Sequence, residues 1–177
     1  MFNLGIDVSK LKLDCALLLD TILLKIKHKV VENSPEGYQI LQQWVSNHIP
    51  KGEAWQVVME ATGVYHENLA YALHHAKIPV AIINPAQLRM FAHGLAVKSK
   101  NDRLDAVVIA RFGAERHPKL WLPPSQEVRG LTQLLGRSEA ITKELQREKN
   151  RVEKASVTDT HSLVNASLAK SILFLKQ

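Results

Sequence analysis

The chain has 177 residues, of which 46% are hydrophobic and 23% are charged, and its 23 lysines and arginines outnumber its 17 acidic residues. This composition is that of a globular protein and excludes a disordered or membrane-embedded chain. The net charge of +6 favours a polyanionic partner over an acidic small substrate.

The sequence carries no secretion-signal pattern and no apolar run long enough to span a membrane. We therefore expect a cytoplasmic protein that does not enter a membrane. The one cysteine, Cys15, cannot form an internal disulfide and lies within the apolar run "CALLL". A buried, unreactive thiol is the expected state of this residue.

Three short apolar or alternating runs open the chain and predict a meander of β-strands. They cover residues 2–8, 12–19 and 22–31. Along the third run, lysines at positions 25, 27 and 29 alternate with less polar residues, which predicts a cationic row on one face of a strand. This row could be a solvated sheet face or a contact for nucleic acid.

A helix, a strand, a second helix and another strand are predicted next. The first helix begins after Asn33 and Ser34, with Pro35 in its first turn. The strand "AWQVVME" ends at Glu60, and a helix that runs to about Lys77 connects it to the strand "IPVAIIN". The order strand, helix, strand indicates a parallel addition to the sheet.

The C-terminal third is predicted to be helical. A short helix follows Asn84, another covers residues 101–116, and the adjacent prolines 123 and 124 then mark a domain boundary. We predict one domain at residues 1–122 and a second at residues 123–177. Apolar residues at three- and four-residue spacing predict a long, coiled-coil-like helix in the second domain, either packed on the chain's own core or dimerised. A further helix stops without a capping residue, so we expect a truncated chain.

This order of elements matches an α/β fold of the ribonuclease-H-like type, a mixed sheet flanked by helices, with a helical extension after it. In that fold the first strand is central, and acids at strand ends converge with acids on a late helix. Asp7 follows the apolar core of the first strand, and Glu60 closes the fourth. Asp102 and Asp105 lie near the start of the predicted helix at residues 101–116.

Each of these acids has a purely structural interpretation. Asp7 could satisfy a turn amide at a strand end, and Asp102 could cap a helix together with Ser99. However, Asp102 and Asp105 are three residues apart and therefore share one helix face, which capping alone does not require. A carboxylate such as Glu60, directly after an apolar strand, also needs a cation or a hydrogen-bond network.

Together the four carboxylates could hold one or two Mg²⁺ ions, which prefer oxygen ligands. Two such ions would stabilise the attacking and leaving oxygens of a phosphodiester displacement. The cations Lys98, Lys100, Arg103 and Arg89 could contact phosphates beside the acids. Charge compensation of the acids is an alternative role for these cations, and the two roles are compatible.

Three motifs resemble those of DEDD transposases and Piv-type site-specific DNA invertases, whose N-terminal domain is RuvC-like. They are "GIDVSK", "MEATGVY" and "KNDRLDA". The resemblance covers residues 2–155 and places the acidic tetrad of the family on Asp7, Glu60, Asp102 and Asp105. It implies cleavage and strand transfer of DNA with Mg²⁺, for which Mn²⁺ could substitute, in the transposition of an insertion sequence.

The resemblance also implies partners. In guided members of the family, a structured guide RNA selects the target. The helices after residue 125 are similar to the family's coiled-coil-like connector and imply a homo-oligomer formed through them.

The chain departs from the family pattern at its end. Family members continue into a C-terminal domain with a serine that acts with the tetrad, and this sequence stops before it. Ser99, Ser125 and Ser162 lie in no matching motif, so none is assigned as a nucleophile. We therefore expect the chain alone to be incomplete for strand exchange. Two alternatives stay open: a non-catalytic module that binds nucleic acid and dimerises, and a free-standing RuvC-type nuclease for branched DNA.

Overall fold

A computed structural model of the chain describes residues 1–61, 63–95 and 102–177, with Asp102 described by its backbone alone. The chain divides into two compact units, Met1–Pro123 and Pro124–Gln177. Among the described residues, the first unit holds a five-stranded sheet with four helices, and the second holds two helices.

The strands are β1 (Phe2–Val8), β2 (Lys12–Asp20), β3 (Lys25–Glu32), β4 (Trp55–Glu60) and β5 (Val80–Ile83). The helices are α1 (Pro35–Ser46), α2 (Glu67–His75), α3 (Pro85–Gly94), α4 (Asp102–Arg116), α5 (Gln126–Val157) and α6 (Ser162–Leu175). The strand order is β3-β2-β1-β4-β5. The β1–β2 and β2–β3 pairs are antiparallel, whereas β1–β4 and β4–β5 are parallel. The predicted ribonuclease-H-like mixed sheet, with β1 at its centre, is confirmed.

Local side-chain contacts explain where several elements begin. The Ser34 hydroxyl accepts a hydrogen bond from the Gly37 backbone N–H at 3.1 Å, as the predicted start of α1 requires. The third strand begins at Lys25 and not at residue 22, because the Asp20 carboxylate accepts from the N–H groups of Ile22 and Leu23 and closes a turn there.

The sheet of the first unit is covered on both faces. Helices α1 and α2 pack on one face, where Leu4, Leu41 and Leu73 are among the fully buried side chains. Helices α3 and α4 pack on the other face, around Val58 and Ile109. Each face therefore has its own apolar core, and both cores depend on the central strands β1 and β4.

Helix α4 lies directly against β1. A Cβ atom at Gly5 would overlap the backbone carbonyl of Ala106 and the backbone N–H of Ala110, so only glycine permits this approach. Beside it, the buried side-chain amides of Asn3 and Gln56 form a hydrogen bond of 2.7 Å. Close packing thus fixes the position of α4 above the central strands.

The second unit is a helix pair. Ser125 caps α5 by accepting from the Val128 N–H at 3.3 Å, and α6 packs against α5. Glu148, which interrupts the apolar pattern of α5, is buried and pairs with Arg151. Within the described part of the chain, no helix is long and apolar enough to cross a membrane.

Candidate carboxylate site at the sheet edge

Two of the predicted acids lie near the C-terminal ends of adjacent parallel strands. The last paired residues of β1 and β4 are Ile6 and Met59, and Asp7 and Glu60 are the next residues along each strand. Neighbouring strands lie about 4.8 Å apart, so the two acidic residues are side by side at one edge of the sheet. Both side chains are half-buried.

Both acids lie on the face of the sheet that α4 covers. Side chains alternate along a strand. Gly5 contacts α4, so Asp7, two residues further on, lies on the same face. Val58 lies beside Gly113 of α4, so Glu60 also lies on this face.

Asp105 completes this arrangement from the helix. It lies one residue before Ala106, whose carbonyl lies against Gly5, and it is half-buried. Asp105 and Glu60 line one cavity of about 250 Å³, together with Arg89 from α3. Apolar side chains, including Leu88 and Val108, form the rest of the wall. Among the described residues, the cavity thus combines two carboxylates with the Arg89 guanidinium and an apolar lining.

The remaining predicted residues are placed differently. Asp102 begins α4, and its side chain is outside the described part of the structure, as are Lys98 and Lys100 with the neighbouring Ser99. Arg103 is exposed and lines a second cavity, of about 310 Å³, with Asp14 and His28. The structure thus brings Arg89, but not Arg103, into the cavity of Glu60 and Asp105.

Asp14 is a carboxylate that sequence reasoning missed. It pairs directly with Asp7 across the antiparallel β1–β2 ladder and is only 8% exposed. The Lys12 ammonium lies 2.9 Å from its carboxylate and compensates its charge. The position of Asp14 inside the apolar run "KLDCALLL" could have marked it as a candidate. Its closeness to Asp7, however, depends on the register of the two strands, which the sequence alone does not reveal.

Burial and nearby charges shift two pKa values close to these acids. Burial, and secondly the charge of Asp14, raises the pKa of the Cys15 thiol well above its usual range. Burial, and secondly the Arg103 guanidinium, lowers the pKa of His28. The Nδ1 atom of His28 is buried without a hydrogen-bond partner among the described atoms. His28 is therefore neutral at pH 7.

The carboxylates of this site fit a divalent cation that keeps some of its water ligands better than one that is surrounded by protein ligands alone. Among the residues that the structure describes, no three His, Cys, Asp or Glu side chains are grouped closely enough to hold a metal by themselves. Mg²⁺ does not require such a cage, since it keeps several waters and takes one or two carboxylates plus substrate phosphates. Hard carboxylate oxygens beside a cavity suit that mode of binding.

Comparisons with known proteins add independent observations. A family model for transposases of the IS110 DEDD type matches residues 4–157. Pilin gene-inverting proteins of Moraxella bovis and Moraxella lacunata are each 32% identical to the chain over 156 residues. These matches cover 87% of the chain and 47% of each relative, so the chain spans about half the length of the curated relatives it matches.

Two solved structures are also similar. A Thermus thermophilus RuvC structure matches with a TM-score of 0.47 and 18% identity, over 68% of this chain and 100% of that one. T. thermophilus RuvC in complex with a Holliday junction substrate matches with a TM-score of 0.44 and 19% identity, over 68% of this chain and 98% of that one.

Proposed function

We propose that this chain, which belongs to the IS110-type DEDD transposase family, carries the nuclease site of a DNA transposase or site-specific DNA invertase. Its acids would support metal-dependent cleavage of phosphodiester bonds and strand transfer between DNA segments. Cleavage requires groups that position the scissile phosphate and groups that hold a cation beside it.

One observation carries the proposal: Asp7 and Glu60 lie side by side near the C-terminal ends of neighbouring parallel strands, and Asp105 shares a cavity with Glu60. Three half-buried carboxylates at one sheet edge carry like charges that repel one another. Gly5 nevertheless allows α4 to approach this edge closely. A bound divalent cation would offset the repulsion, which gives the arrangement a physical purpose.

Asp7, Glu60, Asp105 and, from its position at the start of α4, Asp102 would hold Mg²⁺, with Mn²⁺ as a substitute. When bound, one or two such ions would stabilise the attacking and leaving oxygens of the displacement. Arg89, at the same cavity, would orient the phosphate. Lys98 and Lys100 precede α4 in the sequence and are proposed as further phosphate contacts, as is Arg103 on the exposed start of α4.

The proposed partners are DNA, a structured guide RNA and further copies of the chain. The relatives are described as inverting a pilin gene, which supports a DNA substrate for this chain. The proposed oligomer would form through α5 and α6. Several large apolar side chains of α5 are exposed, and another chain could cover them: Val128, Leu131, Leu134 and Leu135.

A plasmid-nicking assay tests the proposed activity. Supercoiled DNA is incubated with the chain in Mg²⁺ or in EDTA, beside Asp7→Asn, Glu60→Gln and the control Asp159→Asn, which changes an exposed acid of the second unit. We expect nicking in Mg²⁺ only, unchanged in the control and reduced by at least about a hundredfold in the two site variants. Nicking in EDTA, or undiminished nicking by both site variants, would refute the proposal.

A second candidate function is a module that binds nucleic acid without cutting it. It is favoured by the net charge of +6 and by the lysines at positions 25, 27 and 29, which suit a polyanionic partner whether or not the acids cut it. DNA or RNA binding that is undiminished in EDTA, with no nicking in Mg²⁺, would support this candidate over the nuclease. Mg²⁺-dependent nicking restricted to branched DNA would instead support a free-standing RuvC-type nuclease.

A further inference from the structure

The turn between β2 and β3 exposes three consecutive aliphatic side chains. Ile22 is 90% exposed, Leu23 is 79% exposed and Leu24 is 46% exposed. Single exposed apolar residues are ordinary, but adjacent ones at the tip of a hairpin form a protruding apolar patch. Such a patch indicates contact with another molecule.

The backbone of this tip has a defined shape. The Asp20 carboxylate accepts hydrogen bonds from the N–H groups of Ile22 and Leu23, both at 2.8 Å. Leu24 has a φ of +49°, in the left-handed region that branched side chains rarely adopt. These constraints restrict the backbone of the turn, so less backbone freedom is lost when a partner binds the tip.

Cations accompany the apolar tip. Lys25, Lys27 and Lys29 follow it along β3, which is an edge strand of the sheet, and the first two are exposed. The segment from residue 20 to residue 29 contains these three lysines and one acid, Asp20. Lysines on an edge strand disfavour pairing with a strand of another chain. A row of ammonium groups instead complements a line of phosphates.

We propose that the β2–β3 hairpin is a DNA-deforming arm. Lys25, Lys27 and Lys29 contact backbone phosphates of double-stranded DNA, and Ile22 and Leu23 insert between base pairs from the minor groove. Aliphatic wedges of this kind partly unstack a base step and kink the duplex. The inference rests on the proposed function only in taking DNA, among polyanions, as the partner.

The arm is separate from the carboxylate site. Asp14 lies opposite Asp7 at one end of β2, and Asp20 is six residues further along that strand. At about 3.4 Å per residue, the tip is roughly 20 Å from the acids, at the other end of the sheet. Since base pairs are stacked about 3.4 Å apart, the kink would lie roughly six base pairs from the position where the acids act.

Energy transfer between dyes at the two ends of a 20-base-pair DNA duplex tests the wedge. The assay uses the full chain in EDTA, so that DNA is neither cut nor held through metal. We expect saturating wild-type protein to raise the transfer, because a kink brings the ends closer. The variant Ile22→Ser/Leu23→Ser should bind but leave the transfer at the value of free DNA. The control Ile40→Ser, which changes an exposed aliphatic residue of α1, should behave as wild type.

The salt dependence of binding to the same duplex tests the lysines. Each phosphate contact contributes about 0.9 to the slope of the logarithm of the binding constant against the logarithm of salt concentration. Lys25→Ala/Lys27→Ala/Lys29→Ala should therefore reduce the slope by about 2 to 3. The charge-matched control Lys51→Ala/Lys119→Ala/Lys154→Ala, at exposed positions outside the hairpin, should keep the wild-type slope.

The inference is overturned if the serine variant raises the energy transfer as wild type does, or if the two lysine variants have equal slopes. It is also overturned if Ile22 and Leu23 are needed for binding phosphatidylserine vesicles or a 20-base-pair RNA duplex but not for bending DNA. None of these measurements depends on DNA cleavage. Failure of the plasmid assay would therefore leave a positive bending result standing, and failure of bending would leave the nuclease proposal standing.

Discussion

Several carboxylates near the sheet edge are partly or fully buried, which costs free energy, and nearby cationic side chains reduce that cost. Asp14 is buried beside Asp7 and has the Lys12 ammonium as a partner. Glu60 and Asp105 share a cavity with the Arg89 guanidinium. In each case a nearby cationic side chain reduces the cost of burying the negative charge.

Cys15 provides a test of the core beneath this edge. Burial, and secondly Asp14, raises the pKa of its thiol, so the folded protein keeps the thiol protonated. The thiol of the unfolded chain ionises near pH 8.5, and ionisation of that state alone lowers stability as the pH rises above this value. We expect iodoacetamide to label Cys15 at pH 8.5 at least about a thousandfold more slowly in the native protein than in guanidinium.

Rapid labelling of the native protein would show that Cys15 is exposed and that β2 does not pack against the core as described. Mass spectrometry of the labelled protein over time provides the measurement. Because the chain has one cysteine, the modified mass reports this position without ambiguity.

The packing of helix α4 against strand β1 positions the carboxylate site. Gly5 lies under Ala106 and Ala110, and Asp105 immediately precedes this contact. Because the contact is backbone against backbone, an added methyl group cannot be accommodated by a rotamer change. We predict that Gly5→Ala lowers the free energy of unfolding by about 3 kcal/mol.

Urea denaturation of Gly5→Ala and of the control Gly136→Ala measures this effect. Gly136 lies within α5 and has open space around it, so alanine there should stabilise the helix by up to about 1 kcal/mol. A loss below about 0.5 kcal/mol for Gly5→Ala would mean that α4 does not lie against β1 as described.

Elements with strong local signals were predictable from the sequence. Ser34 before Pro35 predicted the start of α1, and Asn84 before Pro85 predicted that of α3, because capping depends on residues within one turn. Asp7 and Glu60 were predictable as candidates because each follows an apolar run within its strand. The family that the motifs resemble is confirmed over residues 4–157.

Features that depend on contacts between distant segments were not predictable. The burial of Asp14 follows from its register with Asp7, which is a property of the strand pair. On α4, the larger apolar residue Leu104 is 39% exposed, whereas the small residues Ala106 and Ala110 are fully buried. Ala106 and Ala110 are buried because they lie against Gly5 of β1, a contact between distant segments that hydrophobicity alone does not indicate.

At the scale of the whole molecule, the two units have different surfaces. The unit Met1–Pro123 contains both apolar cores, and a hydrophobic core of its own is what an independent domain needs. The same unit carries the carboxylates and the β2–β3 hairpin. The unit Pro124–Gln177 is a helix pair with exposed leucines. The net charge of +6 favours the approach of DNA to the molecule at low salt.

We predict that residues 1–123 fold alone and are monomeric, whereas the full chain forms an oligomer. Circular dichroism during heating and light scattering after gel filtration measure these two properties. A monomeric full chain would contradict the oligomer proposed through α5 and α6. The absence of a cooperative transition for residues 1–123 would contradict their independence as a domain.

Mn²⁺ binding, followed by electron paramagnetic resonance, measures whether the carboxylates at the sheet edge hold a divalent cation. The signal of free Mn²⁺ should fall by one or two ions per chain for wild type and for Asp159→Asn. Asp7→Asn/Asp105→Asn should weaken this binding by roughly tenfold or more, with an unchanged circular dichroism spectrum. Equal Mn²⁺ binding by this double variant, or none by wild type, would contradict the account.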